Sequence, residues 1–258
     1  MTPALNVVAP ASLIAPQPWQ GGALDGEPRI PPTPRAARAF LADLGRRCLQ
    51  AAETSATAVF RVERLGAPAR LAVRRALGEG GVSLLVEGAP RMVARETRFP
   101  GVWRVRLGEI DLIELGPAPA PFARRAHIPL APPRRPTRAS EGVFAAPVIV
   151  AELLGRAAED AARHVVALTD RPHTAADLAH LEAAFGRGVG EALCRGRELC
   201  RIEATATPRI WRVRHYNAHE ALVYDAFEVA ALPTLARANA ADLAESAESL
   251  AALADVLP

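Results

Sequence analysis

The sequence predicts an α+β fold made by internal duplication. Each repeat is expected to hold two helices and an antiparallel meander of about four strands, the repeats being related by a pseudo-two-fold. Three observations lead there. The stretch 211–233, WRVRHYNAHEALVYDAFEVAALP, alternates large apolar and polar residues on either side of a polar turn around Asn217 and Glu220, as two half-buried hairpin strands do. The same pattern occurs upstream in VWRVRLGEIDLIELGP at 102–117, and Gly78, Gly80, Thr97, Pro100 and Trp103 recur at a constant offset of 108 as Gly186, Gly188, Thr205, Pro208 and Trp211. Past the turn the offset becomes 114, matching Asp111 to Asp225 and Glu114 to Glu228. The copies therefore differ in length at a hairpin tip, where such changes are tolerated.

The chain has 258 residues, half of them hydrophobic, enough for a packed core. Net charge is +3, a mild bias that does not suit a dedicated nucleic-acid protein. Every basic residue is arginine, which excludes a P-loop lysine, a Schiff-base lysine and a lysine general base. Three cysteines make no secreted disulfide framework. The first residues lack a basic n-region, and no apolar run approaches the ~18 residues of a membrane span. A cytoplasmic protein is expected.

Residues 1–34 read as an extended Pro-rich tail, apolar at Val7, Leu13, Ile14 and Trp19. Repeat 1 spans 35–116. A helix over 35–53 places Phe40, Leu41, Leu44, Cys48 and Ala51 on one stripe. A strand at 57–63, a helix from Pro68 to Leu77, and strands at 82–87 and 92–99 lead to the first hairpin. Gly78, Gly80 and Gly81 follow a helix rather than precede one, so they form no phosphate loop. A Pro/Arg-rich linker, 117–147, is expected to be extended. Repeat 2 spans 148–258, with helices at 148–168 and 174–185 and strands at 189–194, 199–206, 210–216 and 221–230. Thr174 and Asp177 have the spacing of a capping box. A last helix over 239–256 has Asn239 as its N-cap and Leu243, Leu250 and Leu253 on one side.

Candidate partner-binding residues are Trp19, Trp103, Trp211, Arg212, Tyr216, Asn217, Asp225 and Glu228. The equivalent tryptophans read either as paired core anchors, each contributing roughly 2–4 kcal/mol, or as an exposed pair at an interface. Asp225 and Glu228 lie three apart, on opposite faces of a strand, so they form no carboxylate pair for acid–base chemistry. Their expected partners are arginines of the neighbouring arm, Arg212 and Arg214. Cys194 and Cys200 bracket a turn and are placed to face each other across a hairpin, and His215 and His219 flank the next turn. This is a donor set for zinc or iron, but its spacing is not that of a zinc ribbon, and the first copy lacks it. No nucleophile elbow or Ser-His-Asp arrangement is present. Catalysis and a resident cofactor are not expected.

LGEGGVS at 77–83, ETRFPGVWRV at 96–105, CRIEAT at 200–205, and WRVRHYN with YDAFEV and Leu232-Pro233 resemble the HupH/HyaF/HoxQ accessory proteins of nickel–iron hydrogenase operons. The resemblance covers both repeats in order. It implies a non-enzymatic maturation role: assisting the iron–sulfur small-subunit precursor of an uptake hydrogenase before Tat export, beside a thioredoxin-like accessory protein, and protecting assembly under oxygen. The competing reading is a metal or cluster carrier using Cys194, Cys200, His215 and His219.

Overall fold

The computed structural model describes residues 34–134, 141–159, 163–196 and 198–256. The tail reading and Trp19 fall outside them. The first half opens with helix α1 (Arg35–Thr54) and strand β1 (Ala58–Arg61), followed by helix α2 (Ala67–Leu77). α1 buries Leu41, Leu44, Cys48 and Ala51, the stripe its spacing predicts. α2 carries proline in its first turn and stops at Gly78, whose φ of 60° a side chain would resist. Four strands then run as a meander: β2 (Val82–Val86), β3 (Met92–Glu96), β4 (Val102–Leu107) and β5 (Ile110–Leu115).

Helix α3 (Ala120–Arg125) and strand β6 (Pro129–Ala131) come next. The second half holds helix α4 (Ala146–Ala158), strand β7 (His164–Ala167), helix α5 (Ala175–Phe185) and the short strand β8 (Arg187–Gly188). Its meander is β9 (Gly190–Arg195), β10 (Leu199–Ala204), β11 (Ile210–Tyr216) and β12 (Leu222–Val229). A single 3-10 turn, Thr234–Ala236, precedes helix α6 (Ala240–Val256).

Ten strands form one antiparallel sheet in the order β1-β5-β4-β3-β2-β9-β10-β11-β12-β7, while β6 pairs only with β8. β2 lies against β9, with Leu84 opposite Ala192. From that junction the order runs outward through β3, β4 and β5 to β1, and through β10, β11 and β12 to β7. Trp103 stands opposite Glu114, and Trp211 opposite Glu228. Each indole N–H donates to a carbonyl just past its partner strand, Gly116 O and Ala230 O, both at 3.0 Å.

Because side chains alternate across a strand, the sheet feeds cores on both faces. On one face Leu84, Trp103, Ile202 and Trp211 pack beneath Phe122 and Ala126 of the α3 region and beneath Ala236. On the other, Ile113 and Leu115 pack against α1, α2 and α6, and Phe227 and Val229 pack against α4 and α5.

The structure corrects two expectations. A single helix over 148–168 is not formed: α4 ends at Ala158 and His164–Ala167 is a strand. The segment HVVA carries adjacent β-branched residues, and β12 offers it an open edge, so Val166 pairs with Phe227 and is fully buried. Nor is the Pro/Arg-rich stretch extended throughout. Proline starts helices as readily as it breaks them, and Ala120–Arg125 is helical with Phe122 fully buried, a contribution of roughly 1.5–3 kcal/mol. Arg135, Pro136 and Arg138 of that stretch lie outside the described residues. The last helix has the predicted Asn239 cap, whose side chain accepts from Ala241 and Asp242 N–H. Its Leu243 and Leu250 pack with Leu41 and Leu44 of α1, at the opposite end of the sheet from β12.

Asp177 ties two helices together. It completes the capping box of α5 with Thr174. Its other oxygen, Oδ1, accepts the N–H groups of Phe144, Ala145 and Ala146 at 2.8–2.9 Å, at the start of α4. Burial alone would raise its pKa, but these backbone donors outweigh that and hold the carboxyl well below its ordinary range. A folded-state pKa below the unfolded one gives stability that is present above the unfolded value and lost as pH falls. Asp177→Asn is therefore expected to lower Tm at pH 7 by on the order of 5 °C. The gap between wild type and variant should narrow below about pH 4. Thermal melts at pH 7 and pH 3 test both.

Candidate functional site

The β11–β12 hairpin is built of the two longest strands of its meander. Asn217 builds its tip: Oδ1 accepts the N–H groups of His219 at 2.9 Å and Ala221 at 3.0 Å, and Asn217 N–H donates to Ala221 O at 3.0 Å. Glu220 takes a positive φ of 58° to close the loop. The register slips between His215 and Tyr216, so Leu222 pairs with Tyr216. Leu222 is 50% exposed and Val223 42%, two adjacent large apolar residues left in water at a strand start.

Behind the tip lies a charged layer. Arg212 grips Asp225 with two bonds, Nε to Oδ1 at 3.0 Å and Nη2 to Oδ2 at 2.7 Å, and its Nη1 reaches Glu182 of α5 at 2.7 Å. Its guanidinium also lies 5.5 Å from the centre of the Phe227 ring. Burial would lower the arginine's pKa, but the Asp225 and Glu182 carboxylates outweigh it and raise it, so the cation is locked in. Glu228, buried, is held by Arg163 at 2.8 Å and 3.3 Å, and that bond raises the Arg163 pKa. Arg214 bonds Glu203 of β10 and stands opposite Asp225 in register. Asp111 receives Arg106 at 3.0 Å in the first hairpin, whereas Glu114 accepts the Ala120 N–H at 2.6 Å and caps α3.

The two tryptophans are core anchors: Trp103 is 0% and Trp211 1% exposed. Trp211 stacks on Phe122 with ring centres 5.8 Å apart, and His127 meets it edge-on at 4.4 Å. His127 Nδ1 lies 2.9 Å from Thr205 O, and its Nε2 accepts the Arg209 N–H at 3.2 Å, which requires a neutral ring protonated on Nδ1. Burial lowers its pKa and keeps it neutral. Sequence patterns missed Phe122 and His127, both in the Pro/Arg-rich stretch, because their partners lie about eighty residues away in sequence.

Cys194, Cys200 and His215 form one row across β9, β10 and β11, each opposite the next, and Tyr224 of β12 continues it. His219 sits in the hairpin tip instead. Among the described residues no group of three or more His, Cys, Asp or Glu is spaced to hold a metal ion. Beside this row is a cavity of about 60 Å³, touched by Arg163, His215, Tyr224, Glu228 and Leu235. It is large enough to hold water.

Residues 143–257 match the sequence profile of the family described as "HupH hydrogenase expression protein, C-terminal conserved region". The hydrogenase expression/formation protein HupH of Rhodobacter capsulatus is 39% identical over 196 residues, 74% of this chain and 70% of that protein. HoxQ of Azotobacter vinelandii, also a hydrogenase expression/formation protein, is 35% identical over 196 residues, 72% of this chain and 69% of that one. The hydrogenase-1 operon protein HyaF of Escherichia coli strain K12 is 28% identical over 202 residues, 72% of this chain and 68% of that one. A solved structure of the hydrogenase expression protein HupH from Thiobacillus denitrificans is 28% identical, covering 43% of this chain and 94% of that one, with a TM-score of 0.38. No helix among the described residues is long and apolar enough to cross a membrane.

Proposed function

The chain belongs to the HupH/HoxQ/HyaF family of hydrogenase expression/formation proteins, and from that premise we propose that it is a non-enzymatic chaperone of [NiFe]-hydrogenase assembly. It binds the iron–sulfur small-subunit precursor in the cytoplasm before Tat export, works beside a thioredoxin-like accessory protein, and shields assembly from oxygen. The observation that carries a binding role is the hairpin tip, where Leu222 and Val223 stand in water on a turn fixed by Asn217. A rigid apolar tip beside Tyr216 is preorganised for a partner, so little ordering entropy opposes contact. Arg212, Asp225 and Glu228 set that hairpin on the sheet, and Trp211 and Trp103 act from the core as positioning residues. Trp19 in the tail supplies a second contact in this reading.

An ancestral duplication accounts for the outward strand order on each side of β2–β9 and for the twin indole-to-carbonyl bonds. On that view residues 35–116 and 148–258 descend from one module, and the six extra residues at the second tip made it the binding copy.

Full-length protein should capture the small-subunit precursor from cells expressing the hydrogenase. The Leu222→Asp/Val223→Asp double variant should lose about tenfold in recovery while its melting curve stays in place. Undiminished capture by that variant would exclude the tip as the contact.

A further inference from the structure

We infer that Cys194 and Cys200 are a redox-active dithiol, closed by a peroxide-class oxidant into a cross-strand disulfide that unlatches the segment lying over the sheet. The two residues are directly opposite in the β9–β10 register. Facing residues of antiparallel strands have Cα atoms about 4.5–5.5 Å apart, inside the span a disulfide bridges. Both thiols are free. Cys200 is 3% exposed, while Cys194 is half-buried and is the sulfur an oxidant reaches first.

The chemistry balances with one equivalent of peroxide. Cys194 Sγ takes one peroxide oxygen as its O–O bond breaks, giving a sulfenic acid and one water. Cys200 Sγ then displaces the hydroxyl: the S–O bond breaks, the S–S bond forms, and the hydroxyl leaves with the Cys200 proton as a second water. The dithiol loses two electrons and the peroxide gains them.

A structural readout follows from a third group. The Cys194 thiol donates its one hydrogen to Leu235 O at 3.1 Å. Leu235 is the middle residue of the 3-10 turn Thr234–Ala236, walls the cavity beside the row, and is itself 50% exposed. The same segment is pinned by Ala236 N–H to Pro233 O at 3.0 Å and Ala238 N–H to Pro117 O at 2.9 Å. A disulfide has no thiol hydrogen, so closure leaves the Leu235 carbonyl without this donor and loosens the strap between β12 and α6. Cys48 is an internal control: it is fully buried in α1 and burial pushes its thiol up to about 12.

The test uses the full-length protein, titrated with hydrogen peroxide and then with dithiothreitol. Peroxide should remove two hydrogens from the intact mass and join tryptic peptide 188–195 to peptide 198–201, leaving Cys48 free, and dithiothreitol should reverse this. Hydrogen exchange at Ala236 and Ala238 should speed up about fivefold on closure. Cys194→Ser keeps a donor for Leu235 but cannot close, so its exchange should match the reduced protein with or without peroxide. A link through Cys48, or over-oxidation of Cys194 with no link, overturns the dithiol. A link with unchanged exchange at Ala236 and Ala238 overturns the latch.

Discussion

Replacing Trp211 with alanine is expected to lower the unfolding free energy by about 3–5 kcal/mol, a cost typical of emptying a core aromatic site. The cavity cannot collapse easily. One wall is Phe122, stacked at 5.8 Å on a helix capped by Glu114, and another is His127, fixed through both ring nitrogens. The indole N–H to Ala230 O is also lost, leaving a buried carbonyl unpaired. Trp211→Phe keeps most of the ring and should cost only about 1–2 kcal/mol. Urea unfolding followed by circular dichroism separates the two, with the midpoint moving and the slope constant. An alanine variant within about 1 kcal/mol of wild type would remove Trp211 from the core role assigned to it.

Asp225→Ala should be nearly as damaging, about 3–5 kcal/mol, for a different reason. It strips the buried guanidinium of Arg212 of its two-bond partner and leaves only Glu182, whose side chain is 65% exposed. The pair itself has little net worth, because two desolvated ions must be offset by their attraction. The Arg212→Met/Asp225→Leu double variant should therefore be more stable than Asp225→Ala. A double-mutant cycle measures this coupling, and additive losses would mean that the two groups do not depend on each other.

Local rules made much of this architecture legible. Period-two alternation locates both hairpins, helical spacing locates α1 and α6, and Thr174–Asp177 and Asn239 mark helix starts. Cys194 facing Cys200 was readable because a short turn fixes register. What escaped was non-local. β7 is a strand because β12 needs a neighbour, which composition around His164 does not record. Phe122 is core because the sheet's apolar face needs cover, though its segment is rich in proline and arginine. At the candidate site, the pairing of Arg212 with Asp225 follows from the hairpin, but the third partner, Glu182, comes from a helix thirty residues away. The exposure of Leu222 and Val223 was not legible either, since a register slip of one residue decides which apolar side chains face water.

The β2–β9 pairing has a consequence for biosynthesis. At typical elongation rates of about 5–20 residues per second, the ribosome finishes Val82–Val86 several seconds before Gly190–Arg195 exists. Throughout that interval a half-built sheet offers an apolar, unsatisfied edge to any neighbouring nascent chain, a route to aggregation. The chain thus has a vulnerable interval in its own folding, and it ends only when β9 arrives.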